Sequence, residues 1–172
     1  IDVATECVED VALAIYGGTQ QMVKIKGVDD NFSDLTHIND ILVGDGEFTL
    51  HTANLEYGTP GIRLAQDMGL GARWNNYMHI YAPRRDGQLD MSSPTDGFVE
   101  DSLLASGVVF CVKQSKYDKN YILTSITFAR NLFGQQGMLS SLELRLKEGS
   151  DFNAVKKEIT QICGDKYVVK DR

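Results

Sequence analysis

The chain has 172 residues, 42% apolar and 24% charged with only three prolines. That is enough to bury a sizeable core, and it is unlike a disordered segment. It carries 17 basic against 24 acidic residues, a net charge of −7, and no stretch gathers lysine and arginine into a face for nucleic acid. No apolar run approaches the roughly 20 residues that a membrane-crossing helix needs. Cys7, Cys111 and Cys163 are too few, odd in number and too far apart for a disulfide scaffold.

The first residue is Ile1, and no basic, apolar, small-residue leader follows it. The expectation is a mature form or a domain of a larger protein. Val11, Leu13 and Ile15 alternate with small residues up to Gly17-Gly18, and Val23 and Ile25 then alternate with Lys24 and Lys26. This predicts a hairpin with one wet face. Thr59-Pro60 reads as the start of a short helix through Leu64, Ala65 and Met68 that stops at Gly69. Strands are predicted over 77–81 and 106–112, the second through Val108, Val109 and Phe110.

Between those strands lies a polar segment from Pro83 to Phe98, rich in proline and glycine and longer than an ordinary connection. Further on, 121–123 reads as a strand, and Ser125 opens a helix through Ile126, Ala129 and Phe133 that Gly134 closes. Tyr117-Asp118-Lys119-Asn120 reads as a turn, its Asp and Asn bonding nearby backbone. The run 142–147 has period two with a charge at every second place, one side packing and the other meeting water. Ser150 or Asp151 can cap a following helix with Phe152, Val155, Ile159 and Ile162 on one stripe. Gly164 would end that helix in the left-handed conformation, and Tyr167-Val168-Val169 would resume as a strand. This last order predicts a βαβ unit, and the whole an α+β fold of mixed sheets with hairpins, βαβ units and a protruding hairpin loop.

Catalytic patterns are missing. There is no phosphate-binding loop, no dinucleotide fingerprint and no zinc-protease motif. His37, His51 and His79 stand in separate segments without ligand spacing; His79, between Tyr77 and Tyr81, reads as a satisfied surface histidine. Cys111 lies in an apolar run, where a thiol acts as a small hydrophobe, and no cysteine sits at a helix N-terminus or beside a basic cluster. Asp29-Asp30, Asp86 with Asp90, and Glu100-Asp101 read as solvated loops. The expectation is a chain that is not an enzyme and uses no cofactor or metal; a cysteine-dependent hydrolase is the distant alternative.

In order, the segments resemble the extracytoplasmic domain of bacterial ABC transporter permeases of the lipoprotein-releasing LolC/LolE type, within the wider FtsX/MacB-like group. The resemblance rests on Lys26-Gly27-Val28-Asp29, on Gly61 through Leu64-Ala65 to Gly69-Leu70, and on Ile80-Tyr81-Ala82-Pro83-Arg84-Arg85. Ser106-Gly107-Val108-Val109-Phe110 follows, then Tyr117-Asp118 through Phe128-Ala129-Arg130-Asn131-Leu132, and Ser141-Leu142-Glu143. The chain departs from the family pattern at Asn75-Asn76 and Thr59-Pro60.

The resemblance implies a MacB-like core domain over 1–172, divisible into 1–35 plus 114–172, near the membrane and containing the βαβ unit, and a distal 36–113 with the long loop 83–98. It implies a place on the periplasmic face of the inner membrane, between the first two membrane helices of a permease. That permease pairs with a second permease subunit and with a cytoplasmic ATPase that performs the ATP chemistry. It also implies a mechanical role, relaying ATP-driven motion to cargo outside. In one permease type the loop is a hook that recruits a periplasmic lipoprotein chaperone. On this chain Leu89, Met91, Pro94 and Phe98 would be presented to the partner's groove, with Pro94 limiting the entropy lost on docking. MacB-like efflux pumps and FtsX-like regulators share the fold expectation with other partners.

Overall fold

The computed structural model describes residues 1–85 and 94–171. Among these described residues nine strands and five helices follow one another as β1 (Val3–Tyr16), β2 (Thr19–Val28), α1 (Phe32–Leu35), β3 (Leu42–Gly44), β4 (Tyr57–Pro60), α2 (Ile62–Asp67) and β5 (Met78–Pro83). Then come β6 (Phe98–Ala105), β7 (Val108–Phe110), α3 (Ser115–Asp118), β8 (Tyr121–Ser125), α4 (Ile126–Phe133), β9 (Ser141–Arg145) and α5 (Phe152–Cys163). The class is α+β, as expected.

Seven strands form one sheet in the order β2-β8-β4-β6-β5-β1-β9, and β1 also pairs with β2. The pairings therefore run around a ring of six strands, from β1 through β2, β8, β4, β6 and β5 back to β1. Strand β1 achieves this by length. Its edge toward β2 is paired from Cys7 to Tyr16, while its other edge pairs with β9 over Val3–Cys7 and with β5 over Leu13–Ile15. Strands β4, β5 and β6 come from the stretch 36–113 and the remainder from its flanks, so both stretches supply this one sheet.

Helix α4 touches β1, β2, β5, β6 and β8, which only the concave side of the ring allows. Its Phe128, Ala129, Leu132 and Phe133 are buried with Ala12, Ala14, Val23, Ile25, Met78, Ile80, Leu103 and Ile122 in the larger core. Burial of the Val, Ile, Leu, Met and Phe side chains among them stabilises by about 1.5–3 kcal/mol each. Gly27 lets α4 come close: a Cβ there would collide with Ala129 Cβ and lie 2.9 Å from Ser125 O. A smaller core on the opposite face joins Cys7, Val28, Phe32, Ile38, Leu50, Phe110, Tyr121 and Leu123.

Several predicted elements hold. The hairpin turns at Gly17-Gly18, both at positive φ, and Ser125 caps α4 by accepting from Phe128 N–H at 3.0 Å. Gly134 ends α4 in the left-handed region, and Asp151 caps α5 by accepting from Ala154 N–H at 3.1 Å. Asp118 accepts from Val112 N–H at 2.8 Å, and Asn120 donates to Lys116 O.

Others are corrected. Thr59-Pro60 closes β4 and does not open the helix; Gly61 is the N-cap of α2. Proline at that point ends a short strand, whose ladder needs no N–H from it. The strand expected over 106–112 contracts to β7, and β6 precedes it, so Glu100-Asp101 lies on a strand instead of a loop. No strand follows α5 among the described residues: Tyr167, Val168 and Val169 have no regular structure, and Tyr167 and Val168 are exposed. The predicted C-terminal βαβ unit is therefore absent. Gly164 has φ 56 but ψ −144, outside the left-handed helical region. In β9 the inward side chain is Glu143, whose carboxylate meets Lys26 Nζ at 2.6 Å, and Leu142 and Leu144 face out. Pairing with β1 fixes that register, and a charge already on β2 selects the charged side of β9.

Candidate functional site

The long polar segment is anchored more tightly than its composition suggests. Strands β5 and β6 are antiparallel, with Pro83 opposite Phe98, and Arg84 N–H donates to Gly97 O at 2.8 Å. The paired strands therefore end at Pro83 and Phe98, and this two-stranded stalk within the ring carries the segment between them. Arg85 ties its base to β1 through Asp10, Nη2 to Oδ2 at 2.5 Å. Of the four residues expected to meet a partner, Leu89 and Met91 lie outside the described residues, as do Asp86 and Asp90. Pro94 begins a 3-10 turn to Gly97, and Phe98 opens β6 with 43% of its surface exposed.

Register shows what Phe98 belongs to. Side chains paired directly across strands lie on one face of a sheet. Leu13 is opposite both Met22 and Tyr81, Ile15 opposite Gln20 and His79, and Val11 opposite Lys24. Tyr81 in turn faces Glu100, and His79 faces Ser102. Together with Phe98 these residues form the outer face of β6-β5-β1-β2, turned away from α4. Val11 is 42% and Met22 59% exposed, and Leu13, Ile15 and Tyr81 are half-buried. The hairpin has the one wet face expected of it, and the structure decides which: Val23 and Ile25 of β2 face the core. Ala12 and Ala14, the small residues, face the core because α4 needs room there; the branched residues of β1 face out.

Polar groups rim this face. His79 Nδ1 lies 2.9 Å from Glu100 Oε1 and 3.2 Å from Ser102 Oγ, the satisfied surface histidine that was expected. A hydrogen bond to Glu100 raises the Tyr81 phenol above its ordinary value. At the far side Lys24 Nζ meets Glu9 Oε1 at 3.1 Å, and Tyr121 Oη donates to the same oxygen at 2.8 Å. That bond to Glu9 holds the Lys24 ammonium above its usual range. Where the face meets the β1–β2 turn, Ile15, Tyr16, Gly17, Gly18, Asn76, Tyr77 and His79 line a groove of about 530 Å³, open to solvent. An apolar centre with a charged rim is the anatomy of a protein-docking surface. An open groove does not enclose a small molecule.

Cys7 is fully buried, and burial pushes its thiol up to about 11, opposite to the shift that activates a nucleophile. Cys111 and Cys163 are partly buried and unpaired by disulfide. Among the described residues no three His, Cys, Asp or Glu side chains gather as a metal site. Nor is any described helix long and apolar enough to cross a membrane.

Of this face, the sequence names only Phe98 as a partner contact, through the length of the segment before it. Sequence reasoning missed Val11, Leu13, Met22 and Tyr81 as one surface, since alternation reports two faces and not which one is covered. A scan against protein-family models finds no match, and no curated protein compared with the chain is significantly similar.

Proposed function

We propose that this chain is the extracytoplasmic domain of an ABC-type permease, and that it docks a partner protein through the 84–97 loop and the adjoining outer face. The observation that carries the reading is the stalk: a long polar loop held at both ends by paired strands of the ring, beside exposed Val11, Met22 and Phe98. A stalk mounted in this way moves with the ring, as a mechanical relay requires, and exposed Phe98 at its end adds apolar surface inside a charged rim. The order of family-like segments from Lys26 to Glu143 supports a lipoprotein-releasing permease on the periplasmic face of the inner membrane. There the partner is a lipoprotein chaperone, and a separate ATPase supplies the work.

The test is calorimetric titration of the domain with the periplasmic lipoprotein chaperone of the same cell. Binding in the micromolar range, abolished by Met91→Asp with Pro94→Gly and weakened at least tenfold by Val11→Asp with Met22→Asp, is the expected result. No binding by the unaltered domain removes chaperone recruitment and favours an efflux or regulatory permease of the same group.

A further inference from the structure

Strand β9 pairs with β1 along one edge and, among the described residues, with no strand along the other. An open edge is a template for another strand, and this one is written to match itself. The residues Leu142-Glu143-Leu144-Arg145-Leu146 read alike in both directions, except that the two charges exchange sign. We infer that a second copy of this chain pairs with β9 through its own β9, antiparallel and centred on Leu144. This inference is independent of the permease reading.

The register follows from the side chains. Centred on Leu144, each Glu143 stands opposite the partner's Arg145, each Leu142 opposite the partner's Leu146, and the two Leu144 side chains meet on the axis. Opposite charges placed directly across strands stabilise the pair, and like charges oppose it. Centring on Glu143 would set two carboxylates face to face. A slip by one residue would turn the leucine side of one strand against the charged side of the other.

Both faces gain from the match. On the charged side, Lys26 already meets Glu143 at 2.6 Å, and Arg145 meets Asp2 at 2.7 Å. Pairing extends these into an alternating row from Lys26 to Glu143, to the partner's Arg145 and on to the partner's Asp2. On the other side Leu142, 52% exposed, and Leu144 join Leu146, just past the end of β9, and their three counterparts in one continuous apolar strip. The arrangement is a closed twofold one, so it ends at the dimer.

The test uses the chain with Cys111→Ser and Cys163→Ser, leaving only the buried Cys7. Leu144→Cys places two thiols on the axis at the spacing of directly paired residues, about 4.5–5.5 Å between Cβ atoms, near the span of a disulfide. Leu142→Cys sets its two copies about 13 Å apart. Mild oxidation should give covalent dimer with Leu144→Cys, little with Leu142→Cys or Leu146→Cys alone, and dimer again when those last two are mixed. Sedimentation equilibrium of the unaltered chain should show reversible dimer, which Leu144→Lys weakens at least tenfold while thermal unfolding of the monomer is unchanged. A monomer at every concentration overturns the inference. So does a dimer that survives Leu144→Lys, or cross-linking that is equal at all three positions. Protection of Leu144 from hydrogen exchange in a strict monomer would likewise overturn it, since a segment of the same chain would then cover the edge.

Discussion

Helices α4 and α5 begin alike and end differently. Each opens on a side chain that accepts the N–H three residues on, Ser125 from Phe128 and Asp151 from Ala154, and each carries an apolar stripe at helical spacing. Yet α4 buries Ile126, Phe128, Ala129, Leu132 and Phe133, whereas α5 buries none of its residues, and Ile162 is 78% exposed. Amphipathic pattern and capping make a helix; they do not give it a place. The place of α4 is made by the ring, which presents Ala12, Ala14 and Gly27 where the helix must approach. The stripe of α5 meets no comparable surface among the described residues, where no strand completes a βαβ layer beneath it.

That contrast can be broken or sharpened in order of effect. Phe128→Ala should destabilise by about 3–5 kcal/mol in urea unfolding, and Ile159→Ala in α5 by less than about 0.5 kcal/mol. An equal loss at both positions would mean that α5 packs in solution. Removing Glu143 leaves Lys26, 7% exposed, without its carboxylate. Glu143→Ala should therefore cost about 2–3 kcal/mol, and the double variant Lys26→Met with Glu143→Leu should recover most of it. The two caps separate the helices again: Ser125→Ala should cost about 1–2 kcal/mol of global stability, whereas Asp151→Ala should lower helical circular dichroism and leave the unfolding midpoint in place.

The smallest effect depends on pH. Burial raises the Glu56 carboxyl above its ordinary value, against the opposing pull of the hydrogen bond from Ser125 Oγ at 2.6 Å. The folded chain therefore holds the Glu56 proton to higher pH than the unfolded chain, and this group's contribution to stability falls as pH rises from the unfolded value through the folded one. Glu56→Gln removes that fall and still offers Ser125 an acceptor. Its melting temperature should exceed that of the unaltered chain by about 1–2 °C near pH 7.5 and equal it near pH 4.

The candidate site was legible only in part. The length and polarity of the segment before Phe98 marked a loop, and Arg84 and Arg85 fell at its base. Nothing local could reveal that β6 follows at once, since Phe98-Val99-Glu100-Asp101-Ser102 mixes apolar and acidic residues in a strand whose outer side is wet. The alternation of Val11, Leu13 and Ile15, and of Val23 and Ile25, predicts a hairpin but does not assign its faces, for the same reason that the leucines of β9 lie on the far side from Lys26.

The sequence by itself determined the local events. Gly17-Gly18 turns the chain because both need positive φ, Ser125 and Gly134 bound α4, and Asp118 and Asn120 close their own turn. These depend on residues a few positions apart, whose energies act whatever the rest of the chain does. Only the tertiary structure decided the closure of the six-stranded ring, the choice of Ala12 and Ala14 as the buried face, the turning of Glu143 inward, and the lack of a strand after α5 among the described residues. Each of these compares pairings between residues far apart, such as Thr5 with Glu143 or Lys26 with Leu123. Alternation leaves both faces of a strand equally able to pack until a distant neighbour covers one of them.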